Sequence, residues 1–157
     1  MENKLSEILE ALLLSASRPI SIDEMTKVFE DQKPSKEEIR SALNQIDEAC
    51  IERGIELKRV ASGYRLQVKQ SLSNYVAKLW EERPQKFSKA TLETLSLIAY
   101  KQPITRGEIE EIRGVTVGTQ LMRGLMERGW VKIVGQRDVP GRPSLYSTTK
   151  EFLDYFG

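Results

Sequence analysis

Histidine is absent from the 157 residues, and cysteine occurs once, at Cys50. The first absence removes Ser-His and Cys-His nucleophilic catalysis and every His-ligated metal site, which leaves only carboxylate, lysine or tyrosine groups for any chemistry. The second removes an internal disulfide. Cys50, with Ile46 and Ile51 as neighbours, reads as a small apolar residue on a helix rather than as a reactive thiol. Long apolar runs are also missing: the longest candidate, Leu12 to Ala16, falls far short of the roughly 20 residues of a bilayer crossing. The first ten residues carry Glu2, Glu7 and Glu10 where a secretory leader has a basic start and an apolar stretch. A cytoplasmic location without a membrane partner is the expectation.

An excess of one charge is lacking too, since 24 Lys/Arg face 23 Asp/Glu for a net charge of +1. The balance is uneven: residues 1–84 hold 13 basic against 15 acidic side chains, net −2, and residues 85–157 hold 11 against 8, net +3. Phosphate neutralisation supplies most of the affinity of nucleic-acid-binding proteins, so a surplus of three argues weakly for DNA. What is present, 39% hydrophobic and 30% charged residues, suits a globular chain that buries a core.

A repeat organises that material. Leu9 to Met25 (LEALLLSASRPISIDEM) aligns without gaps to Glu93 to Ile109 (ETLSLIAYKQPITRGEI), 84 residues on. Each copy reads as a helix, a break at proline (Pro19 or Pro103), and a Ser or Thr (Ser21 or Thr105) that caps a second short helix. In the first copy Ser35 and Glu38 fit a capping box, and Ile39, Leu43, Ile46 and Cys50 recur at helical spacing up to Gly54, a left-handed C-cap position. Alternation then predicts strands at Ile55–Val60 and Tyr64–Val68 around Ala61-Ser62-Gly63. The second copy repeats the order, with helices marked by Leu92, Leu95 and Ala99, by Thr105–Ile112 and by Thr116–Arg128, then a strand Trp130–Val134, a loop Gly135–Pro143 and a strand Leu145–Thr148. Phe152, Leu153, Tyr155 and Phe156 follow as a final turn over the core.

Three helices and a two-stranded hairpin describe a winged helix. The expected fold is therefore α+β, mainly helical, with two tandem winged-helix domains, each of three helices plus a two-stranded wing. Residues 1–84 form the first, including a linker helix striped by Leu72, Tyr75, Val76 and Leu79 that runs to about Arg83 and stops at Pro84; residues 85–157 form the second, after a hinge at Pro84–Phe87.

At Tyr100–Gly114 (YKQPITRGEIEEIRG) and Arg137–Gly157 (RDVPGRPSLYSTTKEFLDYFG) the chain resembles the ScpB family of segregation and condensation proteins. The likeness extends over essentially the whole length, by motif in the second half and by pattern in the first. It implies a non-catalytic subunit of the SMC–ScpA–ScpB condensin complex that supports chromosome condensation and segregation during cell division. It further implies a homodimer, binding of the kleisin ScpA and a link to the SMC ATPase through ScpA; the expected division of labour gives dimerisation to residues 1–84 and the kleisin to residues 85–157. A cytoplasmic, nucleoid-associated protein follows, without cofactor, metal, catalytic residue or small-molecule substrate, whose contact with DNA is indirect or weak. Gln136 stands where the family often has a basic residue, and Trp130 where an aliphatic one is common.

Within that frame Tyr100, Arg106, Glu108, Arg137, Arg142 and Tyr146 are the kleisin-binding candidates. The loop Arg137–Pro143 carries the strongest signal, because two prolines restrict it and Gly141 permits a turn that presents Arg142 outward. Three roles are open to Arg142: pairing within its own domain with Asp138 or Glu127, gripping a partner's carboxylate, or probing a minor groove. In the first helix Ala11 and Leu14 point away from the core face and are covered either by the domain's own wing or by a second protomer. Gln120, Arg123, Gly124 and Arg128 occupy the place where a helix-turn-helix protein reads bases, yet Met122, Leu125 and Met126 make that helix largely apolar. A DNA-binding transcriptional regulator is accordingly the second reading.

Overall fold

The computed structural model describes residues 2–80 and 86–157, which fall into two compact units, one within 1–84 and one within 85–156. Both mix helices with a small antiparallel sheet. In the first unit α1 (Glu2–Ser15) is followed by α2 (Ile22–Lys27) and α3 (Lys36–Ala49). Each of the latter two begins in a capping box: Ser21 with Glu24, and Ser35 with Glu38, exchange side-chain and backbone hydrogen bonds that satisfy amides the helix cannot. The hairpin β1 (Ile55–Val60) and β2 (Gly63–Val68) is in register from Ile55 opposite Val68 to Val60 opposite Gly63. A 3-10 turn (Gln70–Leu72) leads into α4 (Ser73–Leu79).

The apolar spacing of α1 and α3 places Leu9, Leu13, Ile39, Leu43 and Ile46 in one buried cluster with Met25 from α2. Full burial of a side chain such as Leu43 contributes about 1.5–3 kcal/mol. Cys50 is buried at the end of α3, and burial pushes its thiol pKa up, as expected of a small apolar residue. The hairpin is fastened to the helices at Ile20, whose N–H and C=O exchange bonds of 2.9 and 2.8 Å with Tyr64.

The second unit runs α5 (Lys89–Lys101), β3 (Ile104–Thr105), α6 (Arg106–Arg113), α7 (Thr119–Glu127), β4 (Val131–Gln136), β5 (Ser144–Thr148) and α8 (Lys150–Phe156). Its sheet has the order β3-β5-β4, antiparallel throughout. Leu95, Ile98, Ile109, Met122, Leu125 and Trp130 lie in a separate core. Trp130 is ringed by Phe87, Tyr155 and Phe156 at centroid distances of 5.1, 4.8 and 5.2 Å, so the aromatic tail does pack over the core even though Tyr155 and Phe156 keep one side in water.

Several boundaries differ from the sequence reading. Helix α3 ends at Ala49 with Cys50 as a right-handed cap, and Gly54 is not among the glycines with positive φ. The third helix of the second unit begins at Thr119 rather than Thr116, because Val117 is drawn into the core ahead of it. β4 continues to Gln136 through an irregularity between Ile133 and Gly135, which shortens the loop that follows. The two-residue β3 was not foreseen. Of the stripe, Tyr75, Val76 and Leu79 lie in α4 and Leu72 ends the 3-10 turn before it, and all four are exposed. The expected continuation to Arg83, the stop at Pro84 and the start of the hinge lie outside the described residues.

Candidate partner-binding surface

A polar network of the second unit starts at the N-terminus of α6. Thr105 is buried, accepts the Glu108 N–H at 3.2 Å, and donates its own N–H to Glu108 Oε2 at 2.8 Å. The same carboxylate receives Arg137 from the base of the β4–β5 loop, with Nη2 2.8 Å from Oε1. The bond from the Thr105 amide, reinforced by Arg137, holds the Glu108 carboxyl below its ordinary pKa. Beside it Arg106 donates to Thr119 Oγ1 at 3.3 Å and lies 3.8 Å from Glu110, whose Oε1 in turn accepts the Val117 N–H at 2.8 Å. Three of the six kleisin-binding candidates, Arg106, Glu108 and Arg137, are therefore committed first to holding α6, the α6–α7 connection and the β4–β5 loop together.

The other three are placed differently. Tyr146 lies in β5 opposite Ile104 and Ile133 and is partly buried against the core. Tyr100, at the end of α5, is 86% exposed. Arg142 has φ of 40°, the one non-glycine with positive φ among the described residues, and follows Gly141 at φ 85°. The loop around it is closed by Arg137 N–H to Pro143 O and Arg142 N–H to Val139 O, both 2.9 Å. Its side chain is exposed and forms no ion pair among the described residues, so neither Asp138 nor Glu127 takes it up. A non-glycine residue in this conformation costs energy that only the surrounding loop sustains, a pattern associated with functional positions.

Sequence reasoning missed three polar side chains that stabilise this unit. Gln102 Oε1 accepts from Ser147 Oγ, Thr148 N–H and Thr148 Oγ1 at 2.6, 2.8 and 2.9 Å, tying the end of α5 to β5. Glu110 is the clamp on Val117 just described. Arg113, with only 10% of its side chain exposed, donates to Thr94 Oγ1 at 3.2 Å and to Glu93 Oε2 at 3.1 Å.

Two further surfaces bear on the candidates. In α1 Ala11 is exposed and Leu14 is 63% exposed, so the unit's own hairpin does not cover them, and in the same unit α4 leaves Tyr75 and Leu79 in water with Trp80 just beyond it. At the C-terminal cap of α7 the Arg128 guanidinium stacks over Phe87 and Trp130, 4.8 and 5.4 Å from the ring centroids, while Met122 and Leu125 of the helix are buried. That leaves Gln120 and Arg123 outward on the helix that would read bases.

Among the described residues no group of three His, Cys, Asp or Glu side chains is placed to hold a metal ion, and no helix is long and apolar enough to cross a membrane. The geometry defines a class: a small mixed α/β chain of two helix-and-hairpin units, each carrying exposed apolar and charged surface. The model of the family described as "Segregation and condensation complex subunit ScpB" matches residues 7–157. A "Segregation and condensation protein B homolog" of Coxiella burnetii is 46% identical over 150 residues, spanning 95% of this chain and 72% of the relative. The segregation and condensation protein B of Syntrophotalea carbinolica is 38% identical over 156 residues, 98% of this chain and 77% of its own. Among solved structures, ScpB from Mycobacterium tuberculosis aligns at 31% identity over all of this chain and 97% of that one, with a TM-score of 0.47. The chain belongs to the ScpB family of segregation and condensation complex subunits.

Proposed function

We propose that the protein is a non-catalytic adaptor of the SMC–ScpA–ScpB complex, acting at the nucleoid in the cytoplasm: a homodimer of tandem winged-helix chains that binds the kleisin ScpA and through it serves the SMC ATPase. Residues 1–84 carry dimerisation, with Ala11 and Leu14 at the interface, and residues 85–157 carry the kleisin. Family membership supports the assignment to the complex. The observation that carries the binding site is Arg142, held at φ 40° in a closed loop with its guanidinium exposed. A fixed guanidinium suits bidentate contact with a carboxylate on the kleisin, Tyr100 offers an exposed aromatic beside the same unit's sheet, and Arg106, Glu108, Arg137 and Tyr146 build the platform beneath.

Isothermal calorimetry with a ScpA fragment tests this. Truncating or reversing a hot-spot arginine costs about 2 kcal/mol, roughly a 30-fold rise in Kd. Combined Arg106→Glu and Arg142→Glu substitutions are expected to raise Kd by at least that factor, and an unchanged constant would remove these residues from the interface. The regulator reading finds less support, since the stacked Arg128 and the buried Met122 and Leu125 leave few groups on α7 to converge on base edges.

A further inference from the structure

Gly63, at φ 145°, opens β2 where the hairpin meets the helices. A Cβ there would stand 2.2 Å from the carbonyl oxygen of Ile20 and 2.7 Å from Ser21 N, so only glycine lets the turn come this close. The approach walls a cleft of about 290 Å³ between the β1–β2 turn and the first turns of α2 and α3. Its charged lining is Lys36 and Arg40 from α3, Arg59 from β1, and a single acid, Asp23. Asp23 is engaged by Lys36 at 2.8 Å, and Arg40 touches Glu37 at 3.1 Å outside the cleft. Arg59 has no side-chain hydrogen bond or ion pair among the described residues. Three cations thus converge on one corner of a unit whose sequence, over residues 1–84, is net negative by two.

We propose that this corner of the first unit holds phosphates of a nucleic-acid backbone without reading sequence. Lys36 and Arg40 stand one helical turn apart on α3, and Arg59 faces them from the hairpin, so a phosphodiester strand is gripped from two elements. The side chains of Lys36 and Arg40 are 57% and 54% exposed. Cations this open gain little from an isolated phosphate in salt water, because the pair is screened. A polyanion differs, since each phosphate neutralised also releases condensed counterions. The chain's net charge of +1 supplies no diffuse attraction, so binding depends on the local cluster.

The test is fluorescence anisotropy of a labelled duplex of about 25 base pairs with the intact protein, from low to moderate salt. Wild type is expected to bind weakly, with affinity falling steeply as salt rises and no preference among sequences. Each phosphate contact adds about 0.9 to the slope of log affinity against log salt, so Arg40→Ala with Arg59→Ala should lower that slope by about 2, and Arg40→Lys with Arg59→Lys should restore most of it. Lys132→Ala with Lys150→Ala removes the same charge from the other unit and should leave the slope unchanged. Pyrophosphate at matched ionic strength should not compete; competition would reassign the corner to a free phosphate ligand. The proposal is overturned by absence of salt-dependent binding in wild type, by a wild-type slope in the Arg40/Arg59 double alanine variant, or by an equal loss in the Lys132/Lys150 control. No partner protein is involved, so failure here is distinct from failure of the adaptor assignment.

Discussion

Glu24 and Glu108 occupy equivalent places in the two copies of the repeat, and each does two jobs. Its carboxylate bonds back to the amide of the capping residue, Ser21 or Thr105, and also takes an arginine: Arg18 at 2.7 Å in the first unit, Arg137 at 2.8 Å in the second. The arginine comes from a different position each time. Residue 102, the counterpart of Arg18, is Gln102, which turns to β5 instead, and the β4–β5 loop supplies Arg137. Hydrogen bonds from Arg18, then from Ser21, lower the Glu24 pKa to about 2 from its ordinary 4.5. A carboxyl depressed in the folded state stabilises above its unfolded pKa, and that stabilisation is lost as pH falls through the folded value. Urea midpoints are therefore expected to decline between about pH 5 and pH 2, and Glu24→Gln should lower the neutral-pH midpoint while flattening that decline. An unaltered pH profile in the variant would show that the Arg18 contact does not persist in solution. The caps themselves were legible from sequence, because Ser21, Ser35 and Thr105 act on residues three positions away. Arg137 with Glu108, Gln102 with Thr148 and Arg113 with Thr94 were not legible, since they span 29, 46 and 19 residues and only the tertiary fold brings them together.

Among the elements, the β1–β2 hairpin depends on one backbone position more than on its strands. Its pairing was readable from the alternation of Ile55 to Val60, yet the need for glycine at position 63 comes from Ile20, 43 residues away. Gly63→Ala is expected to destabilise the protein by well over about 1 kcal/mol, because the added methyl meets backbone that cannot yield. Gly114→Ala provides the contrast: its φ of 72° is also left-handed, but nothing lies within 4 Å of the new Cβ, so only the backbone preference of about 1 kcal/mol is lost. Thermal melts of the two variants separate the cases, and equal losses would mean the hairpin retreats from Ile20 without cost. The start of α7 and the end of β4 eluded pattern reading for a related reason. Val117 is pulled inward ahead of its helix and β4 absorbs an irregularity, both of them packing decisions that periodicity does not encode.

On the scale of the whole molecule, the 84-residue offset already announced two similar modules, and the structure places a separate core in each. Which of their surfaces stay open to water was less visible. The first unit leaves Leu14 on α1, and Tyr75 and Leu79 on α4, in water, and exposed apolar side chains that cluster on a small domain mark interaction surfaces. Sedimentation at micromolar concentration is expected to give twice the chain mass for wild type and the single mass for Leu14→Asp, since a carboxylate at a closed apolar interface is left without a partner. A wild-type monomer, or a Leu14→Asp dimer of undiminished stability, would move the interface away from α1.

The two tryptophans divide between these modules in opposite environments. Trp130 is 5% exposed among Phe87, Tyr155 and Phe156, whereas Trp80, just past α4, is 66% exposed. The chain thus carries a shielded indole in one half and a hydrated indole in the other. A protein that settles over α4 would shift the emission of the hydrated indole toward the blue and leave the shielded one unchanged, so a blue shift in intrinsic fluorescence marks a newcomer on the half that carries Trp80.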